Sequence, residues 1–179
     1  MREEIVFSGF GGQGIMLMGK ALSYAAMKEG KFVTWMPSYG AEVRGGTAHS
    51  MVIISDKEIA SPLVKEPSAC IVMNKPSLLK FENKVKEKGI LIINKSMTED
   101  GANRRDIEVL EAPATDMASK LGSQRVANMI MLGALLSKKG ILPVKALIDS
   151  LKDVIPESRR NMIPLNEKAI REGYEYGSR

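Results

Sequence analysis

An apolar run, Ile5-Val6-Phe7-Ser8, leads directly into Gly9-Phe10-Gly11-Gly12-Gln13-Gly14, and a helix-favouring stretch from Ile15 to Glu29 follows. A short buried strand that ends in glycines and re-enters as a helix is the opening of a strand–helix unit. Such units assemble into parallel sheets covered by helices. The glycines at 9, 11 and 14 match G-x-G-x-x-G in the context that gives the pattern meaning, after a strand and before a helix. Glycine permits the tight turn and lets a ligand approach the backbone closely. Free N–H groups at the helix start favour an anion, typically a phosphate. A tight turn packed against a neighbouring chain is the plainer reading, and both stay open. A nicotinamide dinucleotide would also want an acid about 20 residues on, at the end of the second strand. That neighbourhood is Thr34-Trp35-Met36-Pro37-Ser38, which has none.

The alternation continues. Gly30 is a plausible end of the first helix. Phe32 to Met36 reads as a second strand stopped by Pro37, Ser38 to Gly46 as a loop, and Thr47 to Ser55 as a third strand closed by a turn at Asp56-Lys57. The segment around Cys70 and Ile90 to Asn94 read as buried strands. Between them, Pro76 to Lys88 fits a helix with proline in its first turn. Ile107 to Leu110 is a last short strand. From Ala114 the pattern is helical: Ser123 to Ser137 is apolar nearly all round, and Pro143 to Lys152 and Leu165 to Tyr174 follow. The expected fold is α/β and three-layered, a mostly parallel, Rossmann-like sheet with helices on both faces and a helical C-terminal part, forming one domain over 1–179. One antiparallel pairing is expected at the third strand, which follows a loop. Ligands in such sheets collect beyond the carboxyl ends of the strands, where both glycine-bearing loops should open.

The second of those loops, Pro37-Ser38-Tyr39-Gly40-Ala41-Glu42-Val43-Arg44-Gly45-Gly46-Thr47, concentrates groups that a buried loop satisfies with difficulty. Arg44 offers a planar fork for phosphate or carboxylate, Gly45-Gly46 admits a close neighbour, and Tyr39 pairs an aromatic face with a polar tip. The bland alternative pairs Arg44 with Glu42 or a carbonyl. Asn128 is a polar residue in an apolar helix, more simply read as bonded to a neighbouring backbone than to a ligand. His49 in an alternating strand reads as structural, the twelve methionines as core filler, and Arg159-Arg160 as solvated.

Composition removes several functions. Cys70 is the only cysteine and His49 the only histidine, so this chain cannot ligate an iron–sulfur cluster or hold a histidine-rich metal site by itself. Residues 1–60 are charge-neutral, and the whole excess of +5 lies in the remainder without a dense basic tract. Aromatics at 5% with no basic–aromatic interleaving argue against nucleic acid. No apolar run approaches the ~20 residues of a membrane span, and the N-terminus lacks the pattern of a signal peptide. A cytoplasmic location, with no membrane association, is the default expectation. The chain carries too few chemical groups for a complete enzyme.

Read together, Phe7-Ser8-Gly9-Phe10-Gly11-Gly12-Gln13-Gly14 and Ser38-Tyr39-Gly40-Ala41-Glu42-Val43-Arg44-Gly45-Gly46-Thr47 closely resemble the gamma subunit of 2-oxoacid:ferredoxin oxidoreductases. Ala41 stands where that family usually has proline. Val52-Ile53-Ile54-Ser55, Gly89-Ile90-Leu91-Ile92, Asn128-Met129 and Leu132-Gly133-Ala134-Leu135 extend the likeness over nearly the whole chain. The resemblance implies a multi-subunit enzyme that oxidatively decarboxylates a 2-oxoacid, joins the acyl group to coenzyme A and passes two electrons to ferredoxin. Thiamine diphosphate, Mg and [4Fe–4S] clusters would sit on alpha, beta and delta-type partner subunits, since this chain lacks the cysteines and a G-D-G…N-type segment. The gamma domain would help shape the active site and admit coenzyme A as co-substrate. The candidate binding set is Gly9, Gly11, Gly12, Gln13, Gly14, Ser38, Tyr39, Gly40, Arg44, Gly45, Gly46, Thr47 and Asn128, with no catalytic residue and no metal ligand assigned. A nicotinamide-binding Rossmann-type dehydrogenase and a non-catalytic interaction subunit are the alternatives, and dimerisation of the isolated chain stays open.

Overall fold

In the computed structural model, residues 1–38 and 47–179 are described; the side chain of Thr47 is not. Six strands form one sheet: β1 (Arg2–Phe10), β2 (Phe32–Ser38), β3 (Thr47–Ser55), β4 (Ala69–Val72), β5 (Ile90–Asn94) and β6 (Glu108–Ala112). Their order is β2-β3-β1-β4-β5-β6. β1, β4, β5 and β6 are parallel, and β3 runs antiparallel between β1 and β2. Two pairings are therefore antiparallel where the sequence suggested one. The loop after β2 returns a strand that is inserted beside β1, so it touches parallel-running neighbours on both sides.

Six helices complete the chain: α1 (Ile15–Lys28), α2 (Lys75–Phe81), α3 (Ala114–Lys120), α4 (Ala127–Lys139), α5 (Val144–Val154) and α6 (Ile163–Gly177). The central strands are buried on both faces, so they read as unbroken apolar runs. Within β1, Ile5 and Phe7 enter one core and Val6 the other. The same two-residue period sends Ile90 and Ile92 one way and Leu91 and Ile93 the other. The two covering layers are unequal. One core takes α1, α3, α4, α5 and α6, whereas the other is closed by α2 and the extended segments around Val64 and Ile107. Among the described residues no helix is long and apolar enough to cross a membrane.

Three element boundaries differ from expectation for physical reasons. β2 continues through Pro37, which pairs with Ser50; β2 is the sheet edge, where a missing N–H costs least. The helix expected to reach Lys88 stops at Phe81 and passes through a 3₁₀ turn, Glu82–Lys84. There the buried Glu82 carboxylate accepts from the backbone N–H of Asn103 and Arg104, which pins the chain to a distant loop. Another 3₁₀ turn, Gln124–Val126, begins the segment read as one long helix, and α4 proper starts at Ala127.

The pairing of α4 with α6 depends on missing side chains. A Cβ on Gly133 would strike the Ile170 carbonyl, one on Gly173 the Ile130 carbonyl, and one on Gly177 would lie 2.9 Å from the Ala134 carbonyl oxygen. Backbone thus meets backbone. The contacts Ile130–Gly173 and Ala134–Gly177 advance together along both helices, so α4 and α6 run parallel and begin at the same end of the molecule.

Candidate functional site

That end is the carboxyl edge of the sheet. The turn Phe10-Gly11-Gly12-Gln13 is closed by the Gln13 N–H donating to the Phe10 carbonyl at 3.2 Å. Gly12 takes φ +94, as the third position of a type II turn requires. Gly14 caps α1 in the left-handed region at φ +75, and a Cβ there would overlap the Asn128 carboxamide, with Cγ at 2.9 Å. Asn128 in turn donates from Nδ2 to the Gly14 carbonyl at 3.3 Å and accepts the Met129 N–H at 2.9 Å. Residues 114 positions apart are thereby joined, and the start of α4 is fixed against the start of α1. The plain reading of Asn128, a polar side chain bonded to a neighbouring backbone, agrees with this geometry.

Gln13 is engaged by protein groups. Its Oε1 accepts the Phe10 N–H at 2.7 Å and Asn74 Nδ2 at 3.0 Å, while Nε2 donates to the Met73 carbonyl at 3.3 Å. Gly9 makes room for it: a Cβ at that position would lie 2.6 Å from Gln13 Oε1. Gly11 and Gly12 have nothing within 4 Å of where a Cβ would stand, so their backbone is open.

The second segment starts and ends on the same edge. Ser38 pairs with His49, which pairs with Ser8, and Thr47 lies opposite Phe10. Tyr39, Gly40, Ala41, Glu42, Val43, Arg44, Gly45 and Gly46 lie outside the described residues. The His49 ring stacks obliquely on Phe81 at 5.4 Å, in keeping with a structural role. Burial pushes the thiol of Cys70 far up and keeps it protonated, so it is a small core residue.

Two clefts meet at Gly12, Arg125 and Asn128. The smaller, about 220 Å³, passes Met73, Met97, Thr115 and Gln124. The larger, about 570 Å³, is bounded by Leu17, Ile155, Pro156, Arg159, Asn161, Met162 and Asn166. Among the described residues no carboxylate lines either one. The larger cleft receives the beginnings of α1, α4 and α6. An acidic residue in a first turn complements the helix dipole and adds about 0.3–1 kcal/mol. None of these three helices has one. Instead Arg125 lies two residues before α4, in the 3₁₀ turn Gln124–Val126, and Arg159 four residues before α6, in the 3₁₀ segment Glu157–Met162, both exposed. The sequence reading placed Arg159 in solvent, and it is exposed at the rim of the cleft; that reading did not single out Arg125. The available signal was local: a basic residue at the head of an apolar helix that carries no acid.

Comparison with known proteins identifies the family. Residues 4–176 match the family model for pyruvate ferredoxin/flavodoxin oxidoreductase. The 2-oxoglutarate synthase subunit KorC of Methanothermobacter thermautotrophicus is 37% identical over 186 residues, covering 100% of this chain and 98% of its own. KorC of Methanocaldococcus jannaschii is 34% identical, with 98% and 94% covered. In structure, the gamma subunit of the keto/oxoacid ferredoxin oxidoreductase of Geobacter sulfurreducens superposes with a TM-score of 0.84 at 29% identity, covering 98% of both chains. The fold also recurs, with a TM-score of 0.88 at 21% identity, within 31% of a longer chain of the 2-oxoglutarate:ferredoxin oxidoreductase of Magnetococcus marinus, a structure with 2-oxoglutarate, coenzyme A and succinyl-CoA bound. These findings set aside the nicotinamide-dependent dehydrogenase, as the acid-free end of β2 already suggested. The chain belongs to the pyruvate ferredoxin/flavodoxin oxidoreductase family, as a gamma subunit of a multi-subunit 2-oxoacid:ferredoxin oxidoreductase.

Proposed function

We propose that this subunit holds the phosphate groups of coenzyme A in the cleft at Gly12, Arg125 and Arg159 while the reacting carbon is handled on partner subunits. The observation that carries the reading is the meeting of three acid-free helix starts with two arginines in one cavity. Backbone N–H groups and guanidinium forks are the donors that phosphate oxygens accept from. A volume of about 570 Å³ lies within the range of small-molecule sites. The Magnetococcus marinus relative in fold was described with coenzyme A and succinyl-CoA, which supports a ligand of this class. The narrower cleft, flanked by Met73, Met97 and Thr115, suits the mixed apolar and amide character of the pantetheine arm. Gly9, Gly11, Gly14 and Asn128 shape the turn; from their chemistry alone, Ser38, Tyr39, Gly40, Gly45, Gly46 and Thr47 are further candidate contacts, with the Arg44 guanidinium a candidate phosphate ligand.

Thiamine diphosphate, magnesium and [4Fe–4S] clusters belong, in this reading, to alpha, beta and delta-type subunits, and ferredoxin accepts the electrons. The isolated chain is inactive. Replacing Arg125 by alanine in the assembled enzyme removes one charged hydrogen-bonding partner, worth about 1.5–3 kcal/mol. The KM for coenzyme A should rise by about tenfold or more, with kcat and the KM for the 2-oxoacid changed far less. An unaltered coenzyme A requirement in both Arg125→Ala and Arg159→Ala would remove the cleft from the site.

A further inference from the structure

The glycine loop presents a paradox. It carries the dinucleotide pattern at the right place in a doubly wound sheet, yet the chain belongs to a family whose gamma subunit is read here as serving coenzyme A. The crevice that such sheets offer lies where neighbouring strands send their following helices to opposite faces. Here that point is the gap between β1 and β4: α1 packs into one core, and α2, through Leu78 and Phe81, into the other. The gap is filled by a side chain. Gln13 reaches across it from the β1 end to the Met73 carbonyl and to Asn74, the residue that caps α2. The same carboxamide returns to the Phe10 N–H, while the Gln13 backbone N–H binds the Phe10 carbonyl. Phe10 and Gln13 are thus bonded twice around Gly11 and Gly12.

We infer that Gln13 is a positioning residue: its carboxamide closes the β1–β4 crevice and latches the turn so that the open backbone of Gly12 faces the Arg125–Asn128 cleft. The chemistry follows from the bonds. A pyrophosphate seated in the classical crevice would have to displace a carboxamide that already has three protein partners and would leave the Phe10 N–H and Met73 carbonyl without them. A phosphate arriving from the α4 side meets N–H groups whose positions are fixed beforehand, which lowers the ordering cost of binding. Gly9 and Gln13 form one device, because any side chain at position 9 would collide with the carboxamide.

The inference rests on the function proposed above, and three variants in the assembled enzyme test it. Gln13→Met keeps the volume and removes every side-chain hydrogen bond; Gln13→Ala removes both. Gln13→Glu retains an acceptor for Phe10 and Asn74 but turns a second carboxylate oxygen toward the Met73 carbonyl and adds a negative charge beside the cleft. Gln13→Met and Gln13→Ala should raise the KM for coenzyme A about tenfold, the scale of one net hydrogen bond, and affect kcat much less. Gln13→Glu should raise that KM at least as much, because its charge opposes both the Met73 carbonyl and the phosphates. Amide exchange in the full-length chain should quicken in Gln13→Met at Phe10 and at residue 13, the two amides that the latch bonds. Unchanged exchange there would overturn the latch. Faster exchange with an unaltered coenzyme A KM would overturn its link to the site. Arg125→Ala and Arg159→Ala, assayed alongside, separate the two claims: if either raises KM and Gln13→Met does not, the positioning role fails and the cleft stands; if none of the three does, the coenzyme A reading fails.

Discussion

Gly14 is constrained twice over. Its φ of +75 belongs to the left-handed region, and the space its side chain would need is taken by Asn128. Each constraint alone would select glycine; together they make the position a hinge pin between α1 and α4. Gly14→Ala should lower the unfolding free energy by at least about 2 kcal/mol, from backbone strain and the displaced carboxamide, as measured by urea denaturation. The sequence exposed the glycines but hid their reasons. G-x-G-x-x-G is readable as a turn before a helix, whereas the neighbour that forbids a Cβ at position 14 comes from residue 128. Gln13 was grouped with possible ligand contacts for the same cause: nothing local says that its carboxamide finds Met73 and Asn74.

At the level of elements, α4 and α6 are held by contact of their backbones, so a methyl group between them cannot be absorbed by a rotamer change. Gly173→Ala forces the helices apart against the Ile130 carbonyl. It should cost about 1–3 kcal/mol, the usual range for overpacking, and weaken coenzyme A binding through the displaced start of α6; calorimetry of the chain and the coenzyme A KM of the complex check the two effects. On the opposite edge of the sheet, Asp56 ties the end of β3 to the Met1 amino group and to Lys31, at 2.6 Å, just before β2. The Lys31 hydrogen bond, then that of the amino group, lowers its pKa from 3.8 to about 2. A depressed carboxyl pKa adds stability that is whole above the unfolded value and disappears as pH falls through the folded one. The acid limb of stability between about pH 4 and pH 2 should therefore flatten in Asp56→Asn, read as urea midpoint against pH. Strand positions were legible because buried strands are continuous apolar runs. Pro37 misled because a proline stops a central strand but not an edge one, and edge status is a property of the sheet.

For the whole molecule, the strand–helix alternation and the placement on one edge of the glycine turn and of the strand ends at Ser38 and Thr47 could be read from order and period alone. The cleft could not. Its walls come from residues near 12, 125 and 160, and only the parallel docking of α4 on α6 brings the last of them to the first. That docking also brings the opening βα unit and the last helix to one cleft. A ligand bridging Gly12 to Arg125 and Arg159 would clasp the opening βα unit to the closing helix, so no part of either can detach while it remains bound. Occupancy would then protect against global unfolding and not merely local fraying, by RT ln(1 + [L]/Kd), or about 2.7 kcal/mol at a hundred times Kd. The melting temperature of the free subunit becomes a direct gauge of what the cleft accepts.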